Sequence, residues 1–143
     1  MILTSIPAEK GYVIMTDLEG LNPYEAGFDW SIHWNKDFIG KQALEKIKAD
    51  NPKQRLLGYV ADEKIKFDIE PGSKVTIDGK EVGWVTKATY GYTEEMNIGY
   101  VVMDKDFADI GQKIEIVSNG KHVGAVLTER MFYDKEDNRR FGR

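Results

Sequence analysis

The sequence predicts a mainly β protein whose larger, C-terminal part forms a compact antiparallel barrel or sandwich. Three observations carry this. Beyond Pro52 the chain breaks into five or six short apolar segments at regular spacing. Two of the connections between them are Asx-Gly dipeptides. The one strongly periodic helical stretch ends at Asn51-Pro52.

That helix comes first in chain order, from Gly40 to Asp50. Ala43, Leu44 and Ile47 share one face, and Gln42, Glu45, Lys46 and Lys48 the other. Pro52 stops it, because proline disfavours the α conformation in the residue before it. Arg55–Val60 reads as the first strand. Lys74-Val75-Thr76-Ile77 alternates polar and apolar and runs straight into Asp78-Gly79, whose two residues accept the positive φ of a type I′ turn. Val82–Thr86 returns from it, with Trp84 read as a core residue. Ile98–Met103 follows. Lys113–Val117 then meets Asn119-Gly120, a second hairpin turn, and comes back as His122–Leu127. The last ten residues carry both charge signs and are expected to form a surface tail.

The first 36 residues fit this scheme poorly. They contain Tyr12, Tyr24, Phe28, Trp30 and Trp34 without any long periodic element. Large aromatics with no local partner must pack on the barrel, on another chain, or on a further part of the same protein.

Composition narrows the function classes. The 143 residues carry 20 basic and 24 acidic side chains, a net charge of −4, which argues against a general electrostatic grip on nucleic acid. The absence of cysteine removes thiol nucleophiles, disulfides and cysteine-ligated metals, and fits a reducing compartment. No apolar run approaches the ~18 residues of a membrane span. The N-terminus lacks the basic start and small-residue cleavage site of a signal peptide. The expectation is a cytoplasmic protein, with no nucleic-acid or membrane partner.

Few residues invite chemistry. His33 and His122 have no second ligand at metal spacing; both read better as ordinary packed or strand residues, and no metal site is expected. No Gly-x-Ser-x-Gly and no phosphate-cradling loop occur. Glu94-Glu95 lies in an expected loop, where adjacent acids are solvated. Tyr90 and Tyr92 flank Gly91 where a strand leaves the sheet. Each offers a flat apolar face and a hydroxyl suited to the edge of a planar heterocycle, although simple packing on one strand face is the favoured reading.

Several of these segments also carry a resemblance. Lys36-Asp37-Phe38-Ile39-Gly40-Lys41-Gln42-Ala43-Leu44 resembles the Lys-x-Phe-Ile-Gly-(Lys/Arg)-x-Ala-Leu motif of the glycine-cleavage T-protein (aminomethyltransferase) family. Pro23–Trp30 is similar to the approach to that motif. Glu81–Thr86, Tyr90–Thr93 and Asn97–Val101 follow in family order, and the set covers roughly residues 9–132. Asn22-Pro23-Tyr24-Glu25 looks more like the demethylase branch than the lipoyl branch.

The resemblance implies a C-terminal β-barrel of the aminomethyltransferase type over residues 54–132. Before it would come a short α/β remnant of the folate-binding lobe over 1–50, and after it a charged tail over 133–143. It also implies transfer of a one-carbon unit to tetrahydrofolate, with the barrel covering the folate cleft. The catalytic aspartate of the family belongs to the N-terminal lobe and has no counterpart here, so no catalytic residue is assigned. An N-terminal folate-binding lobe or subunit is the implied partner, self-association being the other possibility. Trp30 is the first candidate for contact with the pterin or aminobenzoyl ring, equally readable as an interlobe core residue. Glu25 would orient backbone or folate, or cap a turn. Tyr90 and Tyr92 would line the barrel's side of the cleft. Two departures stand out. The family's arginine position is Pro7, which argues against a helix there. A barrel-loop serine is Lys87, a point charge able to repel or recruit a donor. The alternative is a non-catalytic barrel docking another chain through its aromatic arm.

Overall fold

The computed structural model describes residues 4–62 and 68–142. The first three residues of the expected 1–50 segment and Arg143 of the expected tail lie outside them. Among the described residues six strands form a closed antiparallel barrel: β1 Gln54–Ala61, β2 Lys74–Ile77, β3 Lys80–Gly91, β4 Met96–Asp104, β5 Lys113–Ser118 and β6 Lys121–Thr128. Their order around the barrel is β1-β4-β3-β2-β5-β6. Both Asx-Gly turns take the left-handed backbone their composition suggests, with φ of 50° and 78° at Asp78 and Gly79 and of 51° and 73° at Asn119 and Gly120. Among the described residues closure leaves no open sheet edge.

β4 is buried along nearly its whole length, because both of its faces are covered. Val101 and Met103 point inward with Leu57, Tyr59, Val85, Ile116 and Leu127. Tyr100 and Val102 point outward and join Leu56 and Ala8 in a second cluster, flanked by Val13, Leu18, Leu21 and Phe132. The run Ile98–Met103 thus serves two cores, and the second is made by the N-terminal arm strapped across the barrel's outer face. Gly99 sits between them. A Cβ there would lie 2.0 Å from the Lys87 carbonyl oxygen and 2.7 Å from the Tyr59 hydroxyl, so only hydrogen fits.

Two irregularities in β3 redirect its side chains. Val75 pairs with Gly83 and Thr76 with Glu81, leaving Val82 as an extra residue. Val82 and Val85 both face the interior as a result, while Trp84 turns outward and is 36% exposed. Trp84 is therefore not the core residue expected. The second shift, between Val85 and Lys87, places Lys87 opposite the outward-facing Tyr100.

The arm begins with a short helix, α1, at Ser5–Glu9. Pro7 does not prevent it: proline at the third helical position lacks an N–H that would have no intrahelical partner anyway. The expected second helix, α2, spans Lys41–Ala49 and ends with Asn51 in the left-handed region at φ 61°. Its apolar face is only partly covered. Leu44 and Ile47 are half-buried, Ala43 is exposed, and no residue of the helix is fully buried. The chain's end does not trail away. Lys10 bonds the Asp134 carbonyl and pairs with Asp137 at 2.6 Å, and a single turn, α3, follows at Asn138–Phe141.

Candidate functional site

Between the arm and the barrel lies a layer of buried polar groups. Asp17, 1% exposed, accepts from the Ile14 amide at 2.9 Å and pairs with the Lys87 ammonium at 2.7 Å. The bulge in β3 is what brings Lys87 to this face. The Lys87 charge is therefore neutralised inside the fold and is not offered to a donor, as its sequence position had suggested. The ammonium also sits 5.4 Å from the centre of the Tyr100 ring. The Tyr100 hydroxyl lies 2.9 Å from the Tyr12 carbonyl and 3.1 Å from that of Ala8, and donates its proton between them. Burial, reinforced by the Asp17 charge, pushes the Tyr100 phenol well above its ordinary pKa. The Glu9 carboxylate is buried and accepts from the Thr93 amide at 2.7 Å and its hydroxyl at 2.9 Å, tying α1 to the turn after β3.

The residues singled out in the sequence fall into three separate groupings. Tyr90 and Tyr92 meet edge to face, ring centres 5.1 Å apart, at the end of β3 beside the Glu9–Thr93 contact; Tyr92 is half exposed. Trp30 is 77% exposed and touches Phe28 edge-on at 6.5 Å. Glu25 is buried within a turn. Its carboxylate accepts from the amides of Asn22 (3.3 Å), Lys53 (3.2 Å) and Gln54 (3.3 Å), and the Asn22 side chain caps the same turn from the other side. Glu25 thus fastens the arm to the start of β1. His33 is exposed and does not pack as expected, whereas His122 is an ordinary strand residue facing Glu115 at 2.9 Å. Among the described residues no cluster of three histidines or acids could hold a metal ion, and no helix is long and apolar enough to cross a membrane.

Sequence reasoning missed Arg130. It follows β6, outside any periodic element. Its guanidinium stacks 5.2 Å from the Phe28 ring, and its Nη2 lies 3.2 Å from where a Cβ on Gly27 would stand. Burial lowers its pKa from the ordinary guanidinium value, with Tyr100 and Asp17 opposing the shift. No signal in the sequence separates this arginine from its charged neighbours; only the tertiary fold buries it.

Among the described residues the arm also supplies most of the exposed large apolar side chains. Ile6, Tyr12, Ile14, Met15, Trp30 and Ile39 are each more than half exposed, Met15 at 86% and Ile39 fully. All lie within the first forty residues. Scattered surface apolar residues are ordinary, but a concentration on one segment of a well-packed domain marks a contact surface.

These features define a class: a closed antiparallel barrel domain whose leading arm is fixed by buried polar contacts and keeps aromatic and aliphatic side chains in solvent. The glycine cleavage T-protein C-terminal barrel domain model matches residues 54–134. An aminomethyltransferase of Thermosipho melanesiensis is 36% identical over 90 residues, 62% of this chain and 24% of that protein. One from Thermoanaerobacter pseudethanolicus is 34% identical over 119 residues, 82% of this chain and 32% of that protein. Human mitochondrial dimethylglycine dehydrogenase is 39% identical over 83 residues, covering 55% of this chain and 9% of that one. The fold also matches the crystal structure of the glycine cleavage system aminomethyltransferase T from Bartonella henselae. There the TM-score is 0.82 and identity 17%, over 92% of this chain and 38% of that one. The chain belongs to the glycine cleavage T-protein C-terminal barrel family, and it spans about a third of the length of the aminomethyltransferases it matches.

Proposed function

We propose that this chain acts as the C-terminal part of a tetrahydrofolate-dependent aminomethyl- or methyltransferase, docked on a folate-binding N-terminal portion as a lobe or a separate subunit. The observation that carries this is the arm itself. Ile6, Tyr12, Ile14, Met15, Trp30 and Ile39 face solvent, while Ala8, Val13, Leu18 and Leu21 pack on the barrel and Glu9, Asp17 and Glu25 fasten the arm. Such a surface is preorganised for a partner rather than collapsed onto its own barrel. Reading an N-terminal portion as that partner is supported by the relatives, most of whose length lies outside the matched region.

Tetrahydrofolate, when bound, accepts the one-carbon unit. The residues here fit part of that ligand. Trp30 presents an uncovered indole face for a planar ring, and the Tyr90–Tyr92 pair offers a second aromatic edge. Glu25 is committed to backbone amides and serves by holding the segment that carries Trp30. This chain's role is to bind, orient and exclude water, and the one-carbon chemistry belongs to the portion it docks on. A cytoplasmic setting is part of the proposal.

Isothermal titration of tetrahydrofolate into the chain is the test, alone and after mixing with the N-terminal portion of the Thermoanaerobacter pseudethanolicus aminomethyltransferase. The chain alone gives no heat of binding. The mixture binds tetrahydrofolate, more tightly than the N-terminal portion by itself, and Trp30→Ala removes the gain. No difference between the mixture and the N-terminal portion alone would overturn the proposal.

A further inference from the structure

Trp30 is 77% exposed, yet Phe28 holds it in two ways. The Phe28 carbonyl accepts from the Ser31 amide at 3.0 Å and from the Ser31 hydroxyl at 2.7 Å, which closes the single turn Asp29–Ser31 around Trp30. The Phe28 ring meets the indole edge to face, with centres 6.5 Å apart and planes at 60°. A surface tryptophan held by both backbone and ring gives up little side-chain freedom when it meets a partner.

Phe28 is braced in turn from the barrel. The guanidinium carbon of Arg130, in the segment after β6, lies 5.2 Å from the centre of the Phe28 ring. A Cβ on Gly11 would stand 3.2 Å from the Arg130 carbonyl oxygen, and one on Gly27 would stand 3.2 Å from its Nη2. The residue is thus pressed against two turns of the arm at once. Its Nη1 is buried and has no hydrogen-bond partner among the described residues. A buried donor left unmade costs stability, so arginine is a poor choice for filling this space alone. A planar cation stacked on an aromatic ring, by contrast, fixes that ring as an aliphatic side chain does not.

We propose that Arg130 is the positioning residue for Trp30: stacked on Phe28, it sets the direction in which the indole faces solvent. What the indole meets there, a planar ring at the docked N-terminal portion, rests on the function proposed above. The positioning itself does not.

The test is nitrogen-15 relaxation of the whole chain, following the indole N–H signals of its three tryptophans, with Trp30 identified by its loss in Trp30→Phe. In the parent protein the heteronuclear NOE of the Trp30 indole matches that of the barrel backbone. Arg130→Met keeps the stem and removes the guanidinium. It lowers the Trp30 value toward that of a freely rotating side chain and leaves Trp34 and Trp84 unchanged. Arg130→Lys keeps the cation without the planar fork and loosens Trp30 too, a milder substitution where Arg130→Met does not fold. Phe28→Leu has the same effect, and Arg130→Met adds nothing to it, because the arginine acts through the ring. An arginine that merely stabilised the fold would lower the urea midpoint and leave Trp30 as rigid as in the parent; that result in both Arg130 variants overturns the proposal. So does further loosening in the double variant. In the tetrahydrofolate titration of the mixture, Arg130→Met weakens binding roughly two- to tenfold, the cost of immobilising one freed side chain, and has no effect once Trp30 is replaced by alanine. If Trp30→Ala itself leaves binding unchanged, the proposed function fails while the relaxation data still decide the positioning.

Discussion

Replacing Lys87 by methionine probes the contact that joins arm and barrel most directly. Methionine keeps the length and apolar stem of lysine and removes only its charge, so packing against Tyr100 is largely retained. What changes is Asp17. Its side chain is 1% exposed, and without Lys87 its carboxylate keeps the Ile14 amide as a partner but loses its paired cation. Breaking a buried ion pair from one side costs about 3–5 kcal/mol, most of it the burial of the charge left behind. Arg130 is close enough to feel the Asp17 charge, which places the expected loss near the lower end, at about 3 kcal/mol. For a chain of this size that corresponds to a fall in Tm of roughly 10 °C. Urea unfolding followed by far-ultraviolet circular dichroism reads it. The double variant Asp17→Asn/Lys87→Met should recover to within about 1–2 kcal/mol of the parent, since asparagine still accepts from Ile14 and carries no charge. A single variant that loses less than about 1 kcal/mol, or a double variant as unstable as the single, would refute the reasoning.

Other consequences follow from the same packing. Gly99→Ala forces a methyl to within 2.0 Å of the Lys87 carbonyl and should destabilise the barrel by about 3 kcal/mol or more, measurable by the same unfolding titration. Tyr100→Phe removes the hydroxyl bridging Ala8 and Tyr12 and should cost about 1–2 kcal/mol. Its specific mark is faster hydrogen exchange in residues 5–21 with β5 and β6 unchanged. Burial raises the phenol pKa of both Tyr59 and Tyr100. The unfolded chain therefore ionises these tyrosines at lower pH than the folded one, and their contribution to stability, complete below about pH 10, declines as pH rises above it. In an absorbance titration at alkaline pH, two of the seven tyrosines should ionise only together with unfolding.

Much of the barrel was legible in the sequence because its signals are local. Asp78-Gly79 and Asn119-Gly120 dictate their turns through the backbone freedom of the residues themselves, and the strands beside them follow. The helix at Lys41–Ala49 was equally visible, yet the pattern of Ala43, Leu44 and Ile47 could not say whether anything covers that face. Trp84 was misplaced by a single extra residue: Val82 shifts the alternation, and a bulge leaves no mark in composition. The candidate site was less legible still. Lys87 could be noticed as a charge in the wrong place. Its partner Asp17 lies seventy residues away, and only the second bulge brings the two together. Arg130 and Phe28 come together from opposite ends of the chain, and what sets this arginine apart is burial, which no periodicity encodes.

The central claim is that the solvent-facing side of the arm is a docking surface for the folate-binding portion of the protein. Hydroxyl-radical footprinting of Met15 and Trp30 tests it most directly, before and after addition of the N-terminal portion of the Thermoanaerobacter pseudethanolicus aminomethyltransferase. Both side chains are highly exposed in the chain alone and should oxidise rapidly. On mixing, both should become protected while the outward-facing Trp84 on the barrel continues to react at its original rate. Unchanged oxidation of Met15 and Trp30 in the mixture would contradict the account.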